Sequence, residues 1–244
     1  ALAIPRALSY GIDRAALVEQ ALLGYGRPAY TECDNMPWWN EESTVPYRLE
    51  QAKQILEEAG WLLNEQTGIR EKDGLKAQFN LLYSAGDSTR QALCLAVSEQ
   101  AKELGIQITT EGVSWDEIDR RMYAEPVMMG WGAQNPMETY LLYHKDNMGK
   151  DYYNPENYHN ATVDHYMEQA MQAKTLEDSY LYWQKAQWDG QTGLVTQGDC
   201  PWVWLVNVDH LYYVRDGLNI GQQKIHPHGH AWPVVANLKE WTWE

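Results

Sequence analysis

Val127-Met128-Met129-Gly130-Trp131-Gly132-Ala133-Gln134-Asn135-Pro136-Met137, set within the longer stretch from Glu125 to Tyr143, decides the reading of this chain. Its apolar start, Val127 to Met129, predicts a short buried strand. Two glycines then bracket a tryptophan, and Asn135-Pro136 opens a new helix. Open α/β sheets place their ligands where a strand ends beside a helix N-terminus. Gly130 and Gly132 leave the backbone bare enough for a ligand to approach it. Trp131, Gly132, Ala133, Gln134 and Asn135 are therefore the candidate ligand-binding residues. A plainer reading competes with this one, in which Trp131 is core and Asn135 only a helix cap.

The flanking segments give the corner its context. Asp73-Gly74 marks a hairpin turn, and the alternation of Leu75, Ala77, Phe79, Leu81 and Tyr83 with polar residues predicts a strand after it. Asp87 or Ser88 caps a helix to Leu104, Gly105 stops it, and Ile106 to Thr110 forms a second strand. Ser114 with Glu117 is a capping box for a helix to Tyr123, after which the strand ending at Trp131 follows. This strand–helix–strand–helix–strand order predicts an α/β fold with parallel neighbours joined by crossovers.

Upstream, Arg6 to Leu23 is helical with a restart at Asp13, and Tyr47 to Ala59 is amphipathic. Arg27 to Pro46 has no useful period. Downstream, two helices are expected at about Val163 to Ala173 and Leu176 to Gly190. Pro201 to Val214 is almost continuously apolar and aromatic and predicts a buried strand, which makes Trp202 and Trp204 core residues.

Composition narrows the class of function. Among 244 residues, 34 acids against 19 bases leave a net charge of −15, which argues against a nucleic-acid partner. The aromatic set is 16 Tyr and 12 Trp with one Phe, a bias toward rings that keep a polar edge and suit wet cavities and interfaces. Cys33, Cys94 and Cys200 share no metal-ligand spacing. A Cys33–Cys200 disulfide is open, and nothing in the sequence favours it. No apolar run approaches the roughly 20 residues of a membrane span. The chain opens within a helical pattern and reads as a piece cut from a longer protein.

Several words then fall in a recognisable order. They are Arg6-Ala7-Leu8-Ser9-Tyr10-Gly11-Ile12-Asp13-Arg14, Gln51-Ala52-Lys53 closing on Glu58-Ala59-Gly60-Trp61, and Gly68-Ile69-Arg70 before Asp73-Gly74. Leu104-Gly105-Ile106, Gly130-Trp131-Gly132-Ala133, Asn160 with Val163-Asp164, and Asp199-Cys200-Pro201 follow. Their order and spacing resemble the C-terminal half of the peptide/nickel class of solute-binding proteins that feed ABC importers, family 5 of the bacterial extracellular solute-binding proteins.

The resemblance implies a periplasmic-binding-protein-like lobe: a mixed sheet with parallel βαβ units flanked by helices. Residues 1–214 would be the second lobe of a two-lobed protein, and 215–244 would return to the first. It further implies capture of an oligopeptide between lobes for an ABC permease, with no cofactor and no chemistry on the cargo. The full-length protein would be a monomeric extracellular or periplasmic lipoprotein. Nickel or a metal chelate is the alternative cargo, with sugar binding by Trp38, Trp39, Trp131 and Trp202 a weaker one.

Peptide-binding members of that class carry an amine-pairing aspartate in the corner after the tryptophan. Gln134 stands there in this chain, and an amide cannot give an ammonium the charge-assisted bond of a carboxylate. Metal-binding members recruit a histidine from the loop beyond, which makes His144 and His159 the candidate metal ligands against a plainer reading as solvated loop histidines. His226, His228 and His230 alternate and could hold a zinc for a hydrolase, but Pro227 and Gly229 argue for a loop, and no acid lies beside them as a general base. The sequon Asn160-Ala161-Thr162 is expected to be accidental.

Overall fold

A computed structural model describes residues 3–132, 135–223 and 232–243. Ala133, Gln134 and the His226-His228-His230 tract lie outside the described residues.

The first two helices are α1 (Ala3–Gly11) and α2 (Arg14–Leu22), separated by Asp13, whose carboxylate accepts the backbone N–H of Ala16. Strand β1 (Gly26–Pro28) and a long excursion lead to α3 (Leu49–Glu58). Three short antiparallel strands follow, β2 (Leu62–Asn64), β3 (Ile69–Lys72) and β4 (Leu75–Lys76). Asp73 and Gly74 turn the β3–β4 hairpin with φ of 50° and 79°, the left-handed pair that suits strand twist.

The parallel unit that the sequence predicts is present. Strand β5 (Gln78–Ser84), helix α4 (Ser88–Ala101) and strand β6 (Gln107–Val113) form a βαβ crossover, in register from Gln78↔Gln107 to Ser84↔Val113. Asp87 caps α4, Gly105 ends its last turn with φ 71°, and Ser114 caps α5 (Trp115–Arg121).

The third strand differs from expectation. Only one bridge forms, Leu82↔Val127, flanked by the N–H of Leu82 to the carbonyl of Pro126 and the N–H of Met128 to the carbonyl of Leu82. Pro126 has no N–H to extend the ladder, and residues 128–132 carry no regular structure. Val127 still takes the expected place beside β5, parallel to it.

Helices α6 (Met137–Tyr143), α7 (Ala161–Met171) and α8 (Leu176–Gln187) complete the helical part. Asn160 of the sequon caps α7, its carboxamide oxygen accepting from Thr162 and Val163 while its amide donates to Asp199 and Thr192.

Side chains sort into two cores. An aliphatic core joins α1 to α4 with β5 and β6, around Ile12, Leu17, Leu56, Leu104 and Ile106. An aromatic core joins α6, α7, α8 and the excursion, around Tyr143, Tyr158, Trp183 and Trp38. Cys33, Cys94 and Cys200 are all buried and free.

The apolar run from Pro201 corrects the sequence reading. Only β7 (Val206–Val208) pairs, antiparallel to β1, and residues 201–207 are half-buried. Trp202 and Trp204 pack against the aromatic core, whereas Val203 and Leu205 pack against the aliphatic one. Extended backbone alternates its side chains, so this segment meets a different core on each side. Beyond it the run is exposed, with Tyr213 fully so.

Arg14 fastens that segment. Its buried guanidinium donates through Nε to the carbonyls of Ala29 and Trp204 (2.9 Å each), through Nη1 to the carbonyl of Ser9 (2.6 Å) and through Nη2 to the Ser9 hydroxyl (2.8 Å). The Tyr30 ring lies 4.9 Å from it. Burial lowers its pKa from the ordinary arginine value, an effect opposed by Tyr30 and Cys200. Arg14→Met should lower the unfolding free energy by about 3 kcal/mol, because three carbonyls lose a charged donor out of water. Urea unfolding measures it, and a change under 1 kcal/mol, a surface-like value, would mean the clasp is dispensable.

A second buried tie joins the excursion to α6, where the Thr139 hydroxyl donates to the Glu32 carboxylate. Burial pushes the Glu32 carboxyl from 4.5 up to about 7, against the opposing hydrogen bonds of Thr139 and its own backbone N–H. The folded form therefore binds more protons than the unfolded chain between those values, so Glu32's contribution to stability falls as pH rises through that window. Glu32→Gln keeps an acceptor for Thr139 and removes the charge. It should flatten the loss of stability between about pH 5 and pH 8 by on the order of 2–3 kcal/mol, read as thermal unfolding at both pH values. An unchanged slope would place the proton uptake elsewhere.

Candidate functional site

The carboxyl ends of β5, β6 and the Val127 bridge point the same way, because all three segments are parallel. Their edge therefore gathers the N-terminal turns of α4 and α5 together with the Gly130–Gly132 corner. Arg90, from the first turn of α4, pairs with Asp87 at 3.2 Å and lies 5.5 Å over the ring of Trp115, the first residue of α5. A Cβ on Gly130 would meet the Arg90 guanidinium at 3.4 Å, so the bare backbone there faces a cationic group.

Trp131 falls between its two readings. It is half-buried, and its ring packs at 5.4 Å from Tyr153 and 6.4 Å from Trp202, yet its buried indole N–H has no acceptor among the described residues. A buried donor without an acceptor is costly. Trp38 and Trp39 also keep indole N–H groups without a partner among the described residues, but their carbonyls are bound by side chains of α8. Gly132 is buried, and the side chain of Asn135 accepts the Met137 N–H at 2.9 Å, just ahead of α6, whose N-cap is Pro136.

The loop after α6 builds the rest of the wall. Asn154 is fully buried in the left-handed region (φ 41°), which asparagine tolerates better than most residues. Its amide donates to the carbonyls of Tyr143, His144 and Tyr158, and its oxygen accepts the Tyr158 N–H at 2.7 Å. That anchor sets Tyr153 against Trp131, while Tyr152 meets Trp115 edge-on at 5.7 Å. The tail closes the wall from the other side. Trp202 and Trp204 stack at 5.5 Å, and the Trp204 indole donates to the Tyr143 hydroxyl at 2.9 Å. The Trp202 indole donates to Glu156 Oε1 at 2.7 Å.

Glu156 was not legible as a site residue. Crowding by neighbouring atoms pushes its carboxyl from 4.5 up to about 7, against its own backbone N–H and the Trp202 indole. The residue nevertheless stays exposed.

His144 and His159 are placed elsewhere. His144 is buried, stacked on Tyr140 at 4.2 Å, with Nδ1 accepting the Asp146 N–H and Nε2 3.5 Å from Glu168. His159 Nδ1 meets the buried carboxylate of Asp164 at 2.8 Å. Both rings thus contact carboxylates on α7. Among the described residues, no group of three or more His, Cys, Asp or Glu side chains is arranged to hold a metal ion.

Comparison with known proteins identifies the family. The model of the middle part of the bacterial extracellular solute-binding proteins, family 5, matches residues 3–153. Protein XP55 of Streptomyces lividans is 35% identical over 220 residues, which cover 88% of this chain and 39% of that protein. The oligopeptide-binding protein AppA of Bacillus subtilis is 31% identical over 188 residues, 73% of this chain and 34% of that protein. The solved structure of AppA in complex with a nonapeptide matches all of this chain over 48% of its own, with a TM-score of 0.73 at 25% identity. The nickel-binding periplasmic protein of Escherichia coli is 27% identical over 146 residues, 57% of this chain and 28% of that protein. The chain thus spans less than half the length of each of these relatives. With the family's model matched over more than half of its length and its parallel corner in place, the chain belongs to the bacterial extracellular solute-binding proteins of family 5.

Proposed function

We propose that this chain is one lobe of a two-lobed solute-binding protein that captures an oligopeptide between its lobes and delivers it to an ABC importer. Residues 1–214 make the lobe and 215–244 return to the other one. The complete protein acts outside the cytoplasm as a lipid-anchored monomer and leaves its cargo chemically unchanged. Trp131 and the backbone of Gly132 line the cleft, with Ala133, Gln134 and Asn135 beyond them.

One observation carries the reading. At the carboxyl edge of the parallel strands, Trp131, Tyr153 and Trp202 form an aromatic wall in which the Trp131 N–H has no acceptor among the described residues. Such a wall supplies apolar area to side chains of many shapes. The likeness to AppA supports peptide over metal chelate, as does the pairing of His159 with the buried carboxylate of Asp164. The exposed run containing Leu211, Tyr212 and Tyr213 supports a covering second lobe, since contiguous apolar surface marks an interaction site.

Calorimetric titration of the full-length protein with a nonapeptide and with nickel–histidine tests the cargo. Peptide binding is expected, and binding of the nickel complex alone would transfer the site to metal-chelate capture. The isolated 244-residue chain should bind the same nonapeptide at least about tenfold more weakly, because a one-sided cleft loses burial and the closing equilibrium. In the full-length protein Trp131→Ala should weaken peptide binding about tenfold or more. It should cost less than the roughly 3–5 kcal/mol of stability that emptying a packed tryptophan site removes. The reverse pattern would make Trp131 a core residue.

A further inference from the structure

We infer that Glu156, held by the Trp202 indole beside Trp131, is the anchor for a primary ammonium group of the cargo. The inference rests on the peptide-capture reading and specifies the charge that the same site selects. Three observations carry it. The carboxylate has no cationic partner among the described residues, and its contacts are the Trp202 N–H on Oε1 and its own backbone N–H. The side chain is exposed, so a ligand can reach the carboxylate while protein atoms lie on its other side. Its surroundings are aromatic: Trp202 spans from Glu156 to the Trp131 ring at 6.4 Å, with Trp204 stacked behind it.

A partly desolvated carboxylate without a counter-ion is an unfavourable arrangement that an incoming cation relieves. A neutral or anionic group at this point would leave the carboxylate unpaired or repelled. The indole N–H sets the carboxylate's orientation, and Asn154, two residues earlier, holds the loop through its bonds to Tyr143, His144 and Tyr158. The acceptor is therefore presented before the ligand arrives, which limits the ordering cost of binding.

Either the N-terminal amine or a lysine side chain of a peptide supplies such a group, and the test separates them. Full-length protein and its Glu156→Gln variant are titrated with Ala-Lys-Ala-Ala and Ala-Met-Ala-Ala, each free and N-acetylated. Glutamine keeps an acceptor for Trp202, and unchanged thermal unfolding confirms the fold. The wild type should prefer the ammonium-bearing form about tenfold or more. The variant should lose that preference and bind acetylated Ala-Met-Ala-Ala within about twofold of wild type. A penalty that follows acetylation names the terminal amine as the source, and one that follows Lys to Met names the side chain. A preference that survives in the variant, or is absent from the wild type, overturns the inference.

n-Butylammonium, followed by tryptophan fluorescence, tests Glu156 independently of peptide. If no peptide binds the wild type, the peptide reading fails by itself. In that case quenching by n-butylammonium that disappears in Glu156→Gln still supports the anchor, and equal or absent quenching in both proteins overturns it.

Discussion

The buried guanidinium of Arg14 is the constraint on which the rest of the structure depends. A charged group out of water has to be met by several acceptors at once. Here the acceptors come from three separate parts of the chain: Ser9 at the end of α1, Ala29 after β1, and Trp204 in the tail. Ser9 in turn shares a short hydrogen bond with Thr196. Five donors in a planar fork can fix the relative position of such segments in a way that apolar contact cannot. Once the Trp204 carbonyl is fixed, the extended backbone around it has no freedom to exchange its two faces. Trp202 and Trp204 must face the aromatic core, and Val203 and Leu205 the aliphatic one.

The candidate site inherits its rigidity from that arrangement. The Trp204 indole binds Tyr143, Trp202 lies between Trp131 and Glu156, and Asn154 ties the loop bearing Tyr153 to the end of α6. Aromatic rings locked by stacking and hydrogen bonds have little conformational entropy left to lose on binding. Their surface is nonetheless tolerant, because a ring face accepts many side chains. A rigid wall with permissive chemistry suits the capture of side chains of differing shape.

Charge is distributed with the same economy. The chain carries a net −15, and most of its acids are solvated or paired, as Glu111 and Glu125 are with Arg121. Glu32 and Glu156 depart from that pattern, since both are crowded by protein and neither has a cation beside it among the described residues. Their settings differ. Glu32 is enclosed and answered by Thr139, which makes it a structural tie, while Glu156 stays open to solvent.

Local chemistry determined much of this protein from the sequence alone. Asp13, Asp87, Ser114, Asn160 and Thr175 each cap a helix, because a short side chain can bind the free N–H groups of the turn that follows it. The alternation through Leu81 and the helix ending at Gly105 determined the parallel pair β5–β6, and with it the edge where Trp131 lies. The run from Pro201 misled for a physical reason: continuous apolarity looks the same whether a strand is buried in one core or threaded between two. Tertiary structure alone decided that Trp202 faces Trp131, that His144 is buried against Tyr140, and that Glu156 accepts from Trp202. No periodicity marks Glu156, because its environment is assembled from a loop pinned by Asn154 and a tail 46 residues further on. Distances of that kind along the chain leave no local pattern; they are set by which buried polar groups must find partners when the cores close.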